Sequence, residues 1–300
     1  MSNMVVRTNV LALNSHRNLG LVGNQQARAS ARLSSGFRIN SAADDAAGLA
    51  ISEGMRAQIR GMNQASRNAQ DGISLIQTAE GFMQTVTEMV QRSRELAVQA
   101  ANDTYSTTNR ETIRNEIQQL EEEIVRIWES ASFNGETLFG ASGAGGAGVL
   151  SGTLSLQVGA DGTTSNALIV DVEQEMGAFH DGLTITATDS RVTSWHTAVN
   201  QGAGGNHGAW QTMITNIDNT LDSINDLRAS LGAYQNRLEF TIQNLDIAAE
   251  NLSASESRIR DADMAAEMMR LTQANVLQQA ATAMLAQANQ APQSILQLLG

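Results

Sequence analysis

Apolar residues recur at alternating steps of four and three along residues 210–259. The positions are Trp210, Ile214, Ile217, Leu221, Ile224, Arg228, Leu231, Gln235, Leu238, Ile242, Leu245, Ala249, Leu252, Glu256 and Ile259, of which only Arg228, Gln235 and Glu256 are not apolar. An apolar repeat of about 3.5 residues is typical of a helix that packs against partner helices along one stripe. A helix of roughly fifty residues would be about 75 Å long. It needs partner helices, because it cannot bury its own stripe.

Two further segments can supply these partners. Residues 44–102 carry two adjacent stripes, one of Met55, Ile59, Met62, Ala69, Ile73, Ile76, Met83, Val90 and Ala97, and one of Leu75, Ala79, Phe82, Val86, Met89, Leu96 and Ala100. Residues 110–131 repeat apolar side chains at Ile113, Ile117, Leu120, Ile124, Ile127 and Ala131. Two stripes on one helix indicate two neighbours, so the three segments predict a helical bundle. Its expected core includes Ile59, Met62, Ile76, Phe82, Ile117, Leu120, Ile124, Ile217, Leu221, Ile224, Leu238 and Leu245.

Both ends of the chain carry further apolar stripes. The N-terminal stripe is Val5, Ala12, Leu19 and Leu33, and the C-terminal stripe is Leu277, Ala281, Met284, Ala288, Ala291, Ile295 and Leu298. Met264, Met268 and Leu271 lie one step out of the C-terminal phase, which predicts a stutter near Asn275. The N-terminal helix is marginal on its own. We therefore expect the terminal helices to pair, and their stripes to attract other copies of the chain.

The first helix should end at Ser34, Ser35 and Gly36, and Asp44 or Asp45 can cap the next one. Paired aspartates could also belong to a metal site. No His or third carboxylate lies nearby in the sequence, so capping is the preferred interpretation.

The middle of the chain, residues 136–208, has a different character. After the Gly-rich tract 140–148, short β-branched or alternating runs occur at 153–158, 167–172 and 182–188. These runs predict a small, hairpin-rich β element that is too small for a core of its own. With antiparallel long helices, the two termini should meet at one end and the β element should lie at the other.

Composition and charge exclude several classes of function. All nineteen basic residues are Arg, they are scattered, and the net charge is −12, which argues against nucleic-acid binding. No window approaches the run of about twenty apolar residues that a membrane span needs, and the N-terminus lacks the pattern of a cleaved signal peptide. There is no Cys, and the four His residues are scattered. We therefore expect no catalytic residues, no metal site and no cofactor.

Several stretches resemble bacterial flagellin, and the resemblance covers the chain outside 140–208. They are RLSSGFRINSAADDAAGLAI (32–51), QASRNAQDGISLIQTAEG (64–81), QRSRELAVQAAN (91–102), SFNG (132–135), RIRDADMAAEM (258–268) and VLQQAATAMLAQANQAPQSILQLL (276–299). The resemblance implies a mainly α chain that forms a long antiparallel helical bundle or coiled coil with paired terminal helices and a small β-hairpin-rich middle element. The implied parts are an N-terminal inner-core helix and connector (1–43), the bundle segments 44–135 and 209–259, a variable region (136–208) and a C-terminal inner-core helix (260–300).

The resemblance also implies partners and a location. A flagellin polymerises with many copies of itself into the extracellular flagellar filament, after export through the flagellar type III apparatus without a cleaved signal peptide. Its other partners would be the filament cap protein, the hook–filament junction proteins and a secretion chaperone on the C-terminal helix. Three alternatives stay open: a hook–filament junction protein, an enzyme carried by the middle region, and a cytoplasmic coiled-coil scaffold.

The stretch QRSREL has two interpretations. Both apolar stripes avoid Gln91, Arg92 and Glu95, so Arg92 should be exposed, with Glu88 and Glu95 at ion-pairing distances along the helix. A solvated network of this kind stabilises a protein by less than about 1 kcal/mol. The resemblance implies in addition that the flagellin-sensing Toll-like receptor recognises this pattern, with Arg92 as the central contact. The expected recognition surface consists of Gln91, Arg92, Glu95, Leu96 and Glu116.

Overall fold

The structure is a computed structural model, and it describes residues 9–139, 148–150, 153–163, 166–172 and 207–299, with side chains as far as residue 290. The helices of these residues are α1 (Val10–Ser35), α2 (Ala46–Ala100), α3 (Thr107–Ser130), α4 (His207–Arg260) and α5 (Met264–Leu299). Four short strands accompany them: β1 (Ser132–Phe133), β2 (Glu136–Thr137), β3 (Leu154–Gln157) and β4 (Ala167–Val170). The predicted mainly α fold is thus confirmed. The chain divides into two compact units, residues 60–249 and the two terminal segments 1–59 and 250–300.

In the first unit, α2, α3 and α4 form a bundle around one hydrophobic core. The predicted core positions that are almost fully buried are Ile76, Ile117, Ile124, Ile217, Ile224 and Leu238. Met62, Phe82, Leu120, Leu221 and Leu245 are half-buried. Ile59, also half-buried, belongs to the unit of the terminal segments.

The buried face of α4 is wider than its predicted stripe. Met213, Thr220 and Leu227 are fully buried, whereas the predicted positions Ile214, Leu221 and Arg228 are half-buried. Both sets lie beside a shared line of buried residues, Trp210, Ile217, Ile224, Leu231 and Leu238. A buried face of this width fits a helix that contacts two neighbours.

A tight hairpin that the apolar pattern did not predict follows α3. Strands β1 and β2 pair antiparallel through a turn at Asn134 (φ 53°) and Gly135 (φ 86°). Positive φ at both central residues is the requirement of a type I′ hairpin turn, and Asn-Gly is a dipeptide that meets it readily. Trp128, in the last turns of α3, then stacks on Phe139 with ring centroids 4.3 Å apart.

Strands β3 and β4 confirm two of the three predicted β runs, and the third, 182–188, lies outside the described residues. The hairpin packs along the sides of α2 and α4. Asn68 Nδ2 donates to the backbone oxygen of Gln157 at 3.0 Å, and Tyr234 OH exchanges hydrogen bonds of 3.2 Å with the backbone of Asp171. The expected position at the end of the helices is therefore wrong for this hairpin. Gly61 of α2 permits this lateral packing, because it has no side chain. A Cβ at this position would lie only 2.8 Å from the Cβ of Ala160.

In the second unit, α1 and α5 pair antiparallel, as the terminal stripes predicted. Asn9 Nδ2 donates to the backbone oxygen of Ala288 at 2.7 Å, and Gln26 Nε2 donates to Asn275 Oδ1 at 2.8 Å. Helix α1 ends at Gly36, whose left-handed backbone (φ 77°) lets its N–H reach the carbonyl of Arg32 at 2.8 Å.

The segments that follow α1 and precede α5 bind each other through the backbone. The Arg38 N–H donates to the Arg260 carbonyl at 2.7 Å, and the Ala262 N–H donates to the Gly36 carbonyl at 2.9 Å. Capping of α2 by Asp45 is confirmed, because Asp45 Oδ1 accepts from the Gly48 N–H at 2.9 Å.

Candidate assembly and recognition surfaces

The α1–α5 pair has an inner seam with a regular heptad spacing. On α5 the buried and half-buried positions between 267 and 288 include Glu267, Leu271, Ala274, Gln278, Ala281, Leu285 and Ala288. On α1 the corresponding positions are Ala12, Ser15, Leu19, Val22, Gln26, Ala29 and Leu33. Both series alternate steps of three and four without interruption, so the predicted stutter near Asn275 is wrong. The apolar pattern of α5 did not show which residues form the seam, because Glu267 and Gln278 are seam positions with polar side chains.

The predicted polymerisation stripe is divided between this seam and the surface. Ala12, Leu19, Leu33 and Ala281 are half-buried, and Ala288 is buried. Leu277 and Met284 are exposed. Val5 lies outside the described residues, and of Ile295 and Leu298 only the helical backbone is described.

The α1–α5 pair exposes many large apolar side chains. They are Val10, Leu11, Leu13 and Leu21 on α1, and Met264, Met268, Met269, Val276, Leu277 and Met284 on α5. Single exposed apolar residues are normal on protein surfaces, whereas extended apolar surfaces mark sites of association. The number of these side chains on only two helices indicates an association surface.

A buried carboxylate at the start of α5 is paired with arginines of both terminal helices. Glu267 is only 5% exposed, and its carboxylate lies 3.0 Å from Arg270 Nη1 and 3.7 Å from Arg32 Nη1. Arg32 also lies 3.8 Å from Asp44. A buried charge requires such partners, because an unpaired one would be costly. Asp263 caps the helix, accepting from the Ala265 N–H at 2.9 Å.

On the bundle, Arg92 is half-exposed and held by two carboxylates. Its Nη1 donates to Glu95 Oε2 at 3.2 Å in the same helix, and its Nη2 donates to Glu116 Oε1 of α3 at 2.9 Å. The hydrogen bonds to Glu116 and then Glu95 raise the pKa of the Arg92 guanidinium above its usual value. The expected intrahelical pairing thus occurs with Glu95, and the second partner comes from α3 instead of from Glu88.

The other residues of the expected recognition surface lie in two environments. Gln91, Glu95 and Glu116 are exposed around Arg92. Leu96, by contrast, is only 2% exposed and belongs to the bundle core, so it does not form part of the surface. The reason is its place on an apolar stripe of α2, which faces the core in this turn.

Neither a metal-binding group of side chains nor a membrane-spanning helix is found in the part of the chain that the structure describes. No group of three or more His, Asp or Glu side chains there is arranged to hold a metal ion. No helix there is both long and apolar enough to cross a membrane.

Taken together, these features define a helical subunit in which the paired terminal helices leave apolar side chains exposed. Comparison with known proteins agrees with this class. Residues 6–144 match the bacterial flagellin N-terminal helical region, and residues 214–299 match the bacterial flagellin C-terminal helical region.

Relatives match along their whole length. A flagellin of Halalkalibacterium halodurans is 50% identical over 296 residues, which cover 99% of this chain and 100% of that protein. The flagellar filament 31.3 kDa core protein of Treponema maltophilum is 44% identical over 298 residues, and flagellin FlaB1 of Treponema pallidum is 43% identical over 304 residues, with the same coverage. The chain belongs to the bacterial flagellin family, a family of structural proteins that form the flagellar filament.

Proposed function

We propose that this chain polymerises, through its terminal helices, into an extracellular flagellar filament that serves motility. The observation that carries the proposal is the set of large apolar side chains exposed on α1 and α5. Full burial of such a side chain contributes at most about 1.5–3 kcal/mol to an assembly, since each is already partly buried in the monomer. Contacts that join two different surfaces of identical subunits head to tail generate an open helical polymer when the rotation between copies does not close a ring.

Seeded assembly tests this proposal directly. The purified chain is added to sheared filament fragments, and elongation is imaged by electron microscopy. A chain that lacks residues 264–300 should stay monomeric, because it lacks α5. A full-length chain that fails to elongate the seeds would contradict the proposal, and binding only at filament ends would favour a hook–filament junction protein.

A pair of point variants tests the surface more sharply than the truncation. Leu13→Asp places a charge on an exposed apolar position of α1, and Asn14→Asp places the same charge on the adjacent exposed residue. The second change keeps an acceptor for Arg17, whose Nη2 donates to Asn14 Oδ1 at 2.9 Å. We expect only Leu13→Asp to abolish elongation. Equal elongation by both variants would show that the apolar surface of α1 is not an assembly contact.

The same exposed surface suggests how the subunit is handled before assembly. We propose export through the flagellar type III apparatus, with a secretion chaperone covering α5 until the subunit leaves the cell. The filament cap and hook–filament junction proteins would then contact the same terminal helices. A chaperone that binds the full chain and the chain without residues 264–300 equally well would contradict this assignment.

We further propose that the flagellin-sensing Toll-like receptor recognises the surface around Arg92. Support comes from the two carboxylates, Glu95 and Glu116, that hold the half-exposed guanidinium in place. Ordered, exposed arginines are frequent anchors of protein interfaces, because their planar donor groups are pre-organised.

Receptor activation by the monomeric chain tests this second proposal. We expect Arg92→Ala to raise the half-maximal concentration by about tenfold or more, as the loss of an interface anchor does. Arg126→Ala is the matched control, since Arg126 is an exposed arginine of α3 that pairs with Glu123. Unchanged activation by Arg92→Ala, or an equal loss in both variants, would contradict the proposal.

A further inference from the structure

Methionine residues are distributed unevenly between buried and exposed positions in the part of the chain that the structure describes. Met83 and Met213 are fully buried in the bundle core, and Met55, Met62 and Met89 are half-buried. The methionines of α5 differ from all of these. Their exposed fractions are 47% for Met264, 53% for Met268, 68% for Met269 and 59% for Met284.

Three of these methionines lie on one continuous ridge of the helix. Positions spaced by four residues form such a ridge on a helix surface. On α5 the ridge consists of Met264, Met268, Thr272, Val276, Ala280 and Met284, all of them exposed. Met269 lies directly beside it, and the set of these seven residues is here called the methionine ridge. The ridge is apolar except for Thr272, so oxidation of its thioethers to sulfoxides would make an apolar surface polar.

An exposed thioether sulfur reacts with hydrogen peroxide. The sulfur donates an electron pair to one peroxide oxygen, the O–O bond breaks, and methionine sulfoxide and water are formed. Sulfur is thereby oxidised by two electrons and the peroxide is reduced. Susceptibility follows exposure, and the product is a polar side chain that methionine sulfoxide reductases return to the thioether.

We propose that Met264, Met268, Met269 and Met284 form an oxidation site of the unassembled subunit, and that sulfoxide formation by peroxide stops the subunit from entering a filament. This inference rests on the proposed polymerisation through α5. In a filament the same side chains are covered by neighbouring copies, so assembled subunits are protected. Peroxide therefore acts on subunits before or during assembly and leaves the completed filament intact.

The inhibition follows from the cost of burying a polar group without a partner. A sulfoxide oxygen accepts hydrogen bonds, whereas the methionine ridge supplies only the Thr272 hydroxyl as a side-chain donor, and that hydroxyl donates to the Met268 carbonyl at 2.9 Å. We expect the critical concentration for assembly to rise by about tenfold for each sulfoxide buried without a donor.

Peptide mapping after limited oxidation tests the accessibility part of the inference. The monomer and the seeded filament are treated with hydrogen peroxide, and each methionine peptide is followed by its gain of about 16 Da. In the monomer, Met264, Met268, Met269 and Met284 should be oxidised well before Met83 and Met213. In the filament, the four α5 methionines should react at least several times more slowly. Equal rates in monomer and filament would overturn the inference.

Elongation by oxidised subunits tests the functional part. Oxidised monomer should fail to elongate seeds, and treatment with both methionine sulfoxide reductases and a dithiol should restore elongation. Replacing the four α5 methionines by Leu, which nearly conserves their volume, should give subunits that elongate equally before and after peroxide. Met55→Leu/Met62→Leu is the matched control and should stay peroxide-sensitive. Unimpaired elongation by the oxidised native chain would overturn the inference.

The two proposals can fail separately. If untreated chains do not elongate seeds, the polymerisation proposal fails, and with it the functional part of the inference. If untreated chains elongate but their oxidised forms do so equally well, only the oxidation inference fails.

Discussion

Arg260, the last residue of α4, donates from Nη1 to Glu53 Oε1 of α2 at 2.6 Å. The same guanidinium lies over the ring of Phe37, with its Cζ 4.8 Å from the ring centroid. Phe37 itself forms an antiparallel bridge with Asp261. One arginine thus connects α2 to the two backbone segments that join the terminal helices to the rest of the chain.

This ion pair makes the connecting segments sensitive to acid. The hydrogen bond from Arg260, and then that from Arg56, lowers the pKa of Glu53 below its ordinary value of 4.5. A carboxylate with a lowered pKa in the folded state contributes stability that is fully present above the ordinary value and is lost as the pH falls through the lowered value. Hydrogen bonds from the backbone N–H groups of Asn40 and Ser41 lower the pKa of Asp44 in the same way.

We therefore expect the melting temperature of the monomer to fall as the pH drops below about 4.5. Glu53→Gln should lower the melting temperature at pH 7 and flatten its decline with acid. Glu122→Gln, an exposed change on α3, is the control and should behave like the native chain. Thermal scans by circular dichroism at several pH values would measure the effect, and parallel curves for Glu53→Gln and the native chain would contradict the prediction.

The recognition proposal requires that Arg92→Ala leaves the fold intact. Exposed ion pairs contribute little to stability, so the free energy of unfolding should change only slightly. A double-mutant cycle with Glu116→Ala, measured by urea denaturation, gives the coupling between the two side chains. A coupling as large as that of a buried ion pair would mean that the pair is structural, and receptor data on Arg92→Ala would then need correction for unfolding.

The bundle core should respond strongly to small cavities. Ile217 is fully buried on α4, and truncating a buried Ile to Ala costs about 2–5 kcal/mol of unfolding free energy. Phe240 lies on the same helix but is 71% exposed. Phe240→Ala should therefore change stability by about 0.5 kcal/mol or less. Comparable losses in both variants, measured by urea denaturation, would contradict the burial pattern of α4.

The packing of the β3–β4 hairpin against α2 depends on a glycine of that helix. A Cβ at Gly61 would lie 2.8 Å from the Cβ and 3.1 Å from the Cα of Ala160, so the loop that carries Ala160 must move. Gly61→Ala should therefore increase amide hydrogen exchange in the strands β3 and β4. Gly81→Ala is the matched control in the same helix, because nothing lies within 4 Å of the added methyl group.

The control should raise the free energy of unfolding by up to about 1 kcal/mol, since alanine favours a helix over glycine. Unchanged exchange in the hairpin of Gly61→Ala would contradict the prediction. It would mean that the hairpin does not depend on the close approach of Ala160 to α2.

Much of the fold was predictable from periodicity alone. The helices were expected at 44–102, 110–131 and 210–259, and the structure has Ala46–Ala100, Thr107–Ser130 and His207–Arg260. Such long repeats are reliable because every turn of the helix repeats the same requirement for an apolar face. The two β runs at 153–158 and 167–172 were also visible, as was a cap at Asp44 or Asp45, since each depends on neighbouring residues in the chain.

The phase of the helix contacts was decided only in three dimensions. The α5 seam passes through Gln278 and through Glu267, whose buried carboxylate is paired with Arg270 and Arg32. Glu116 is twenty-four residues from Arg92 in the chain, so their contact depends on how α3 packs on α2. The sequence by itself therefore determined which segments are helical and apolar. The tertiary structure decided which side chains stay exposed, because burial depends on the neighbouring helix as well as on the pattern of one helix.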